Sequence, residues 1–94
     1  MTTNVSRFPL GQTVATPGAL EAMAAANQQP YEFLNRHMVG DWGDLSEDDK
    51  RENEFSVDKE LRIFSAYYTG NGDRLWVITE ADRSVTTLLL PEEY

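Results

Sequence analysis

One side chain in this 94-residue sequence has an ordinary pKa near neutrality: His37, its only histidine. A histidine works as general acid or base when hydroxyls and a cation stand within hydrogen-bond reach. Period-two alternation supplies candidates for that role. It puts Arg62, Phe64, Ala66 and Tyr68 on one strand face and Leu61, Ile63, Ser65 and Tyr67 on the other. The strands that follow crowd Thr79, Glu80, Asp82, Arg83, Ser84 and Thr86 toward one sheet end. The polar residues at that end are possible companions for His37 in acid–base chemistry. The plainer reading is a half-buried histidine bonded to a neighbour, next to threonines that suit a strand and an ordinary Asp82-Arg-Ser84 turn.

Other chemistries find little footing. There is no cysteine, which removes thiolate catalysis, disulfides and Cys-based zinc sites. No Gly-x-Ser-x-Gly elbow is present. Gly70-Asn-Gly72 lacks the lysine and the following helix of a phosphate loop. Asp44, Glu47, Asp48 and Asp49 lack the spacing and the glycine of a calcium loop. No metal or cofactor is expected.

The charge map is more informative. The chain carries 16 acids and 8 bases, a net charge of -8. From Asp41 to Glu60 stand nine acids (Asp41, Asp44, Glu47, Asp48, Asp49, Glu52, Glu54, Asp58, Glu60) and three bases (Lys50, Arg51, Lys59), which is six of the eight net charges. Such a segment repels nucleic acid and attracts a basic protein surface, such as that of a nucleic-acid-binding host protein. Asp41, Asp44, Glu47, Asp48, Asp49 and Glu52 would supply the carboxylates, with Trp42 as apolar anchor. The bland alternative is a solvated face that keeps the chain soluble. No apolar run approaches a membrane span and no signal-peptide core opens the chain, so no membrane contact and a cytoplasmic location are expected.

The elements that must position these residues follow from local signals. Residues 1–7 read as a flexible tail and 8–94 as one domain. Residues 11–16 are a short candidate strand. Thr16 as N-cap and Pro17 at the first turn start a helix whose expected stripe is Leu20, Met23 and Ala24. Pro30 opens a second helix with Phe33, Leu34, His37 and Met38 inward, and Gly40 stops it. Ser46 caps a third, polar helix with Glu47, Asp48 and Asp49 in its first turn. Residues 61–90 then read as a three-stranded antiparallel meander, turning at Thr69–Asp73 and Ala81–Arg83, with Leu75–Ile78 central. The expected class is α+β: a short N-terminal strand, three helices, then the meander with helices on one face. Leu20, Phe33, Leu34, Met38, Trp76, Ile78 and Leu88 are the expected core.

Three stretches resemble a known family: Phe8-Pro-Leu-Gly with Ala15-Thr-Pro-Gly-Ala-Leu20; Arg36-His37 with Gly40-Asp-Trp-Gly-Asp-Leu45; and Arg74-Leu-Trp-Val-Ile-Thr-Glu-Ala-Asp-Arg-Ser84 with Leu89-Leu-Pro-Glu-Glu-Tyr94. They resemble small uncharacterised "plasmid-related" proteins of bacterial plasmids and mobile elements. Some of these carry a label as subunit M of a type I restriction system, although 94 residues cannot hold a methyltransferase domain. The resemblance implies a bacterial mobile-element setting and brings no activity or site residues with it; a small acidic protein in that setting could block a host nucleic-acid-handling or defence enzyme by presenting carboxylates in place of phosphates. A second, architectural similarity is to the RelE/barnase/colicin class of metal-free ribonucleases, which would use His37, Arg62, Thr79, Ser84 and Thr86. Those enzymes are usually basic, unlike this chain.

Overall fold

Thr16 accepts from the Ala19 N–H through its hydroxyl (3.2 Å), and Pro17 begins helix α1, Pro17–Ala25. Helix α2, Pro30–Met38, starts where the Gln29 N–H meets the Glu32 carboxylate (2.8 Å), and it ends before Gly40 at φ +90°. Helix α3, Glu47–Lys59, is capped by Ser46, whose hydroxyl accepts from the Asp49 N–H (3.1 Å). The strands are β1 (Gln12–Ala15), β2 (Ile63–Tyr68), β3 (Arg74–Thr79) and β4 (Val85–Leu89), and a 3-10 turn, Pro91–Glu93, closes the chain. The structure, a computed structural model, describes residues 5–94.

The fold is α+β, with a mixed four-stranded sheet of order β1-β4-β3-β2. The meander β2-β3-β4 is antiparallel, and the apolar Leu75–Ile78 run lies inside the sheet. The N-terminal strand adds a fourth member parallel to β4, so the sheet is wider and more mixed than the expected meander. Gly11 makes that junction. Its φ is +67°, and a Cβ there would strike the Arg83 and Ser84 carbonyls.

Helices α1 and α2 cover one sheet face through Ala19, Met23 and Phe33, which meet Tyr67, Leu75, Val77 and Leu88. A second apolar cluster of Phe8, Trp42 and Ile63, with Leu10, Leu45 and Val57 around it, joins the N-terminal segment to α3. Leu20 was expected in the core but is 50 % exposed. The buried stripe of α1 runs through Ala19 and Met23 instead, because the small Ala19 side chain lets the helix sit close on the sheet and turns Leu20 outward. Leu34, Met38 and Trp76 are half-buried, while Phe33, Ile78 and Leu88 are buried as expected. The expected tail falls outside the described residues over 1–4. At its other end Arg7 is held, with its N–H on the Met38 carbonyl (2.8 Å) and its guanidinium on Glu54 (2.6 and 2.9 Å).

The two sheet edges differ. Along β2, the Asn53 side chain of α3 imitates a neighbouring strand: its Nδ2 donates to the Phe64 carbonyl (2.6 Å) and its Oδ1 accepts from the Phe64 N–H (3.1 Å). Two residues on, Ala66 donates to the Trp42 carbonyl (3.1 Å) and accepts from the Asp44 N–H (2.7 Å). Gly43 makes that approach possible, at φ +79° and with no room for a Cβ against Ala66. Replacing Asn53 with Ala orphans both Phe64 backbone groups and is expected to cost about 1–3 kcal/mol. A fall in the urea midpoint reads this directly, with Phe55→Ala on the exposed side of the same helix as the near-silent control. Equal midpoints for Asn53→Ala and wild type would contradict the edge assignment.

Candidate functional site

His37 has no exposed surface. Its Nδ1 lies 2.5 Å from Ser65 Oγ on β2 and its Nε2 lies 2.9 Å from Thr79 Oγ1 on β3. Thr79 Oγ1 stands 2.7 Å from Thr86 Oγ1, its register partner on β4, and the Thr86 hydroxyl donates to the Leu10 carbonyl (2.7 Å). A carbonyl can only accept, and this fixes the donors from Leu10 back to the Nε2 of His37. Thr86 spends its hydrogen on Leu10, so Thr79 donates to Thr86. His37 therefore donates to Thr79 from Nε2–H. Burial disfavours the charged ring, and in the neutral ring Nδ1 is bare and accepts from Ser65.

Aromatic rings seal the site. Phe8 stands edge-on to the imidazole at 5.2 Å and Trp42 at 6.0 Å, and these two rings stack on each other at 6.2 Å. Trp42 Nε1 donates to Glu54 (3.0 Å), the carboxylate that also holds Arg7. Glu54 sits below the ordinary carboxylate range, mainly through its bond to Arg7. Burial alone lowers the His37 pKa to about 3. Desolvation also raises that of Tyr67, whose hydroxyl donates to the Asp41 carbonyl (2.6 Å).

Of the residues named for an acid–base site, His37, Thr79 and Thr86 converge and Arg62 and Ser84 do not. Arg62 lies on the opposite sheet face, bonded to Glu80 (3.1 Å) and the Tyr94 hydroxyl (2.8 Å). Ser84 is an exposed turn residue whose N–H meets Asp82 (2.9 Å). Ser65, which alternation places on the inward face, completes the network in its place. Among the described residues the two ring nitrogens bond Ser65 and Thr79, and the ring is fully buried. Among the described residues no group of three or more His, Asp or Glu is placed to hold a metal ion, and no helix is long and apolar enough to cross a membrane.

The acidic candidates are distributed differently. Asp41 pairs with Arg36 (2.7 Å) and Asp44 with Arg74 (3.0 Å), both against the β2 edge. Arg36 is also the main cause of the lowered Asp41 pKa. Glu47 meets Lys50 at 3.6 Å, and Asp48 pairs with Arg51, in the first turns of α3. Asp49 and Glu52 make no ion pair among the described residues. Trp42, expected as a surface anchor, is 4 % exposed and belongs to the seal over His37. The exposed aromatic of this region is Phe55, at 52 %. Its signal was helical spacing: Asn53, Ser56 and Val57 turn inward on α3, which leaves Phe55 outward.

The buried imidazole makes stability depend on pH. In the unfolded chain the histidine titrates near its ordinary value of ~6.5. As pH falls through that value the unfolded state takes up a proton that the folded state refuses until about pH 3. Stability is thus complete above ~6.5 and is expected to fall below it by at most ~1.4 kcal/mol per pH unit. Urea midpoints between about pH 7 and pH 5 isolate this effect from the carboxylates, which titrate lower. His37→Gln should flatten the slope. A wild-type midpoint that is level across that window would show that the folded ring titrates normally.

No protein-family model, curated protein or solved structure matches this chain, so its functional reading rests on its own geometry and charge.

Proposed function

We propose that this chain is a protein-binding module that meets a basic partner surface through the outward face of α3. The observation that carries the reading is Phe55, an exposed aromatic on a helix of acids, with Glu52 one turn before it and Asp58 one turn after. Binding surfaces gain most of their affinity from such a central apolar side chain, and charge around it supplies orientation and encounter rate. Asp49 and Glu52, without ion-pair partners among the described residues, are the carboxylates readiest for external cations. Glu47 and Asp48 offer more by exchanging their i,i+3 partners, which costs little at an exposed site. Asp41 and Asp44 are engaged along the β2 edge and hold the loop rather than the partner. Carboxylates set along a helix can occupy the places of phosphates on a nucleic-acid-handling enzyme. In a bacterial mobile-element setting, a host defence enzyme of that kind is the partner this chemistry would inhibit.

The test is capture of a partner from lysate of the encoding cell, followed by affinity measurement on the purified pair. Reversing Asp48, Asp49 and Glu52 to Lys is expected to abolish binding with the fold intact by circular dichroism. Phe55→Ala alone should weaken it by tenfold or more, the loss typical of a hot-spot side chain of ~2 kcal/mol. Affinity should also fall steeply with salt, since exposed charges are screened beyond ~10 Å at 0.1 M. RNA cleavage by the purified protein that His37→Gln removes and the charge reversals leave alone would overturn the reading.

A further inference from the structure

We propose that two copies of this chain associate edge to edge through β1, forming one continuous sheet across a two-fold axis at Val14. The inward side of β1 is fixed by the Gln12 N–H on Ser84 (3.0 Å) and the Thr16 N–H on Leu88 (3.0 Å). Backbone groups of a strand alternate in direction, so Gln12, Val14 and Thr16 serve β4 while those of Thr13 and Ala15 point away from it. Among the described residues these outward groups have no partner. An open edge is an adhesive that proteins normally cover, and here the β2 edge is covered twice, by Asn53 and by the Trp42–Asp44 segment. The β1 edge carries no charge, proline or bulge over its four residues. Beside it runs an apolar groove lined by Ala15, Leu20, Pro30 and Leu34.

Charge selects a second copy as the occupant. From Phe8 to Tyr31 the sequence has a single charged residue, Glu21, in a chain that is 26 % charged. That nearly neutral stretch builds the β1 edge and α1, whereas the acidic α3 lies at the β2 edge, the far end of the strand order. Pairing at β1 therefore sets the two acidic helices as far apart as the sheet allows, which limits repulsion between two copies of net charge -8. The antiparallel register centred on Val14 pairs Thr13 with the partner's Ala15 and Ala15 with the partner's Thr13. Each pair exchanges both of its N–H···O bonds. Val14, 39 % exposed, then stands across from the partner's Val14, a favourable β-branched pair, and Leu20, 50 % exposed, gains apolar cover along the seam. The arrangement is isologous and closes, so it stops at two copies. It also leaves α3 free for another protein.

Sedimentation velocity on the full chain over a concentration series to ~1 mM reads the association by mass action. Wild type is expected to move from monomer toward dimer, with hydrogen exchange at the Thr13 and Ala15 amides slowing as concentration rises. Thr13→Pro removes an outward N–H and leaves the inward ladder whole, and it should stay monomeric with unchanged circular dichroism. Val14→Glu and Val14→Lys should each be monomeric alone, by like charge across the axis, and their equimolar mixture should dimerise. A wild type that is monomeric throughout, or a dimer that survives both Thr13→Pro and Val14→Glu, overturns the proposal. So does a mixture of the two Val14 variants that stays monomeric.

Discussion

A neutral imidazole buried in the middle of the molecule ties five parts of the chain together. From His37 on α2, hydrogen bonds run to Ser65 on β2 in one direction and through Thr79 on β3 and Thr86 on β4 to the Leu10 carbonyl in the other. A buried polar group is costly unless it is bonded, and here each bond leaves the next group a defined role as donor or acceptor. The register of β3 on β4 is part of this. Thr79 faces Thr86, and a one-residue slip of either strand would turn its own hydroxyl to the other face. The network therefore does for one end of the sheet what shape complementarity among Met23, Phe33, Tyr67, Leu75 and Leu88 does for the rest.

Around that network the chain uses charged side chains as fasteners. Glu54 collects the Trp42 indole and the Arg7 guanidinium, which secures the aromatic cover of His37 from α3. Arg83, at φ 62°, reaches the Ser56 carbonyl (2.9 Å) and the Leu61 carbonyl (2.7 Å), so the turn before β4 grips the end of α3. Glu93 reaches back to the start of α1, accepting from the Gly18 N–H (3.0 Å) and the Thr16 hydroxyl (2.5 Å), where the helix dipole welcomes a carboxylate. A small domain with little core area gains much of its uniqueness from such long-range clamps. They also account for the polarity of the molecule, with bases drawn into clamps and many acids of α3 left facing water.

Much of this architecture was legible in the residues. Thr16-Pro17, Pro30 and Ser46 marked three helix starts, and the Gly-rich loop and alternating apolar residues marked the meander. Local signals could not place β1, because a parallel pairing with β4 depends on residues some seventy positions away and on no turn. The same limit applied to the site. Thr79 and Thr86 were identifiable among the polar residues at one sheet end and His37 on the inward stripe of α2, but Ser65 was one of several positions on its strand face, and whether the ring met them or faced water depended on Phe8 and Trp42, each distant from the strands in sequence. Trp42 shows the difficulty most plainly. In a turn flanked by Asp41, Gly43 and Asp44 it has the local look of a surface residue, and only the approach of that turn to the β2 edge buries it.

His37 is thus a neutral structural keystone whose proton sits on Nε2. Nitrogen NMR of the labelled imidazole tests this most directly, because a protonated and a bare ring nitrogen have well-separated shifts. A protonated Nε2 with slow solvent exchange and a bare Nδ1 are expected, both unchanged as the folded protein is taken from neutral pH to below the ordinary histidine pKa of ~6.5. A ring that titrates near that value, or one that carries its proton on Nδ1, would contradict this assignment.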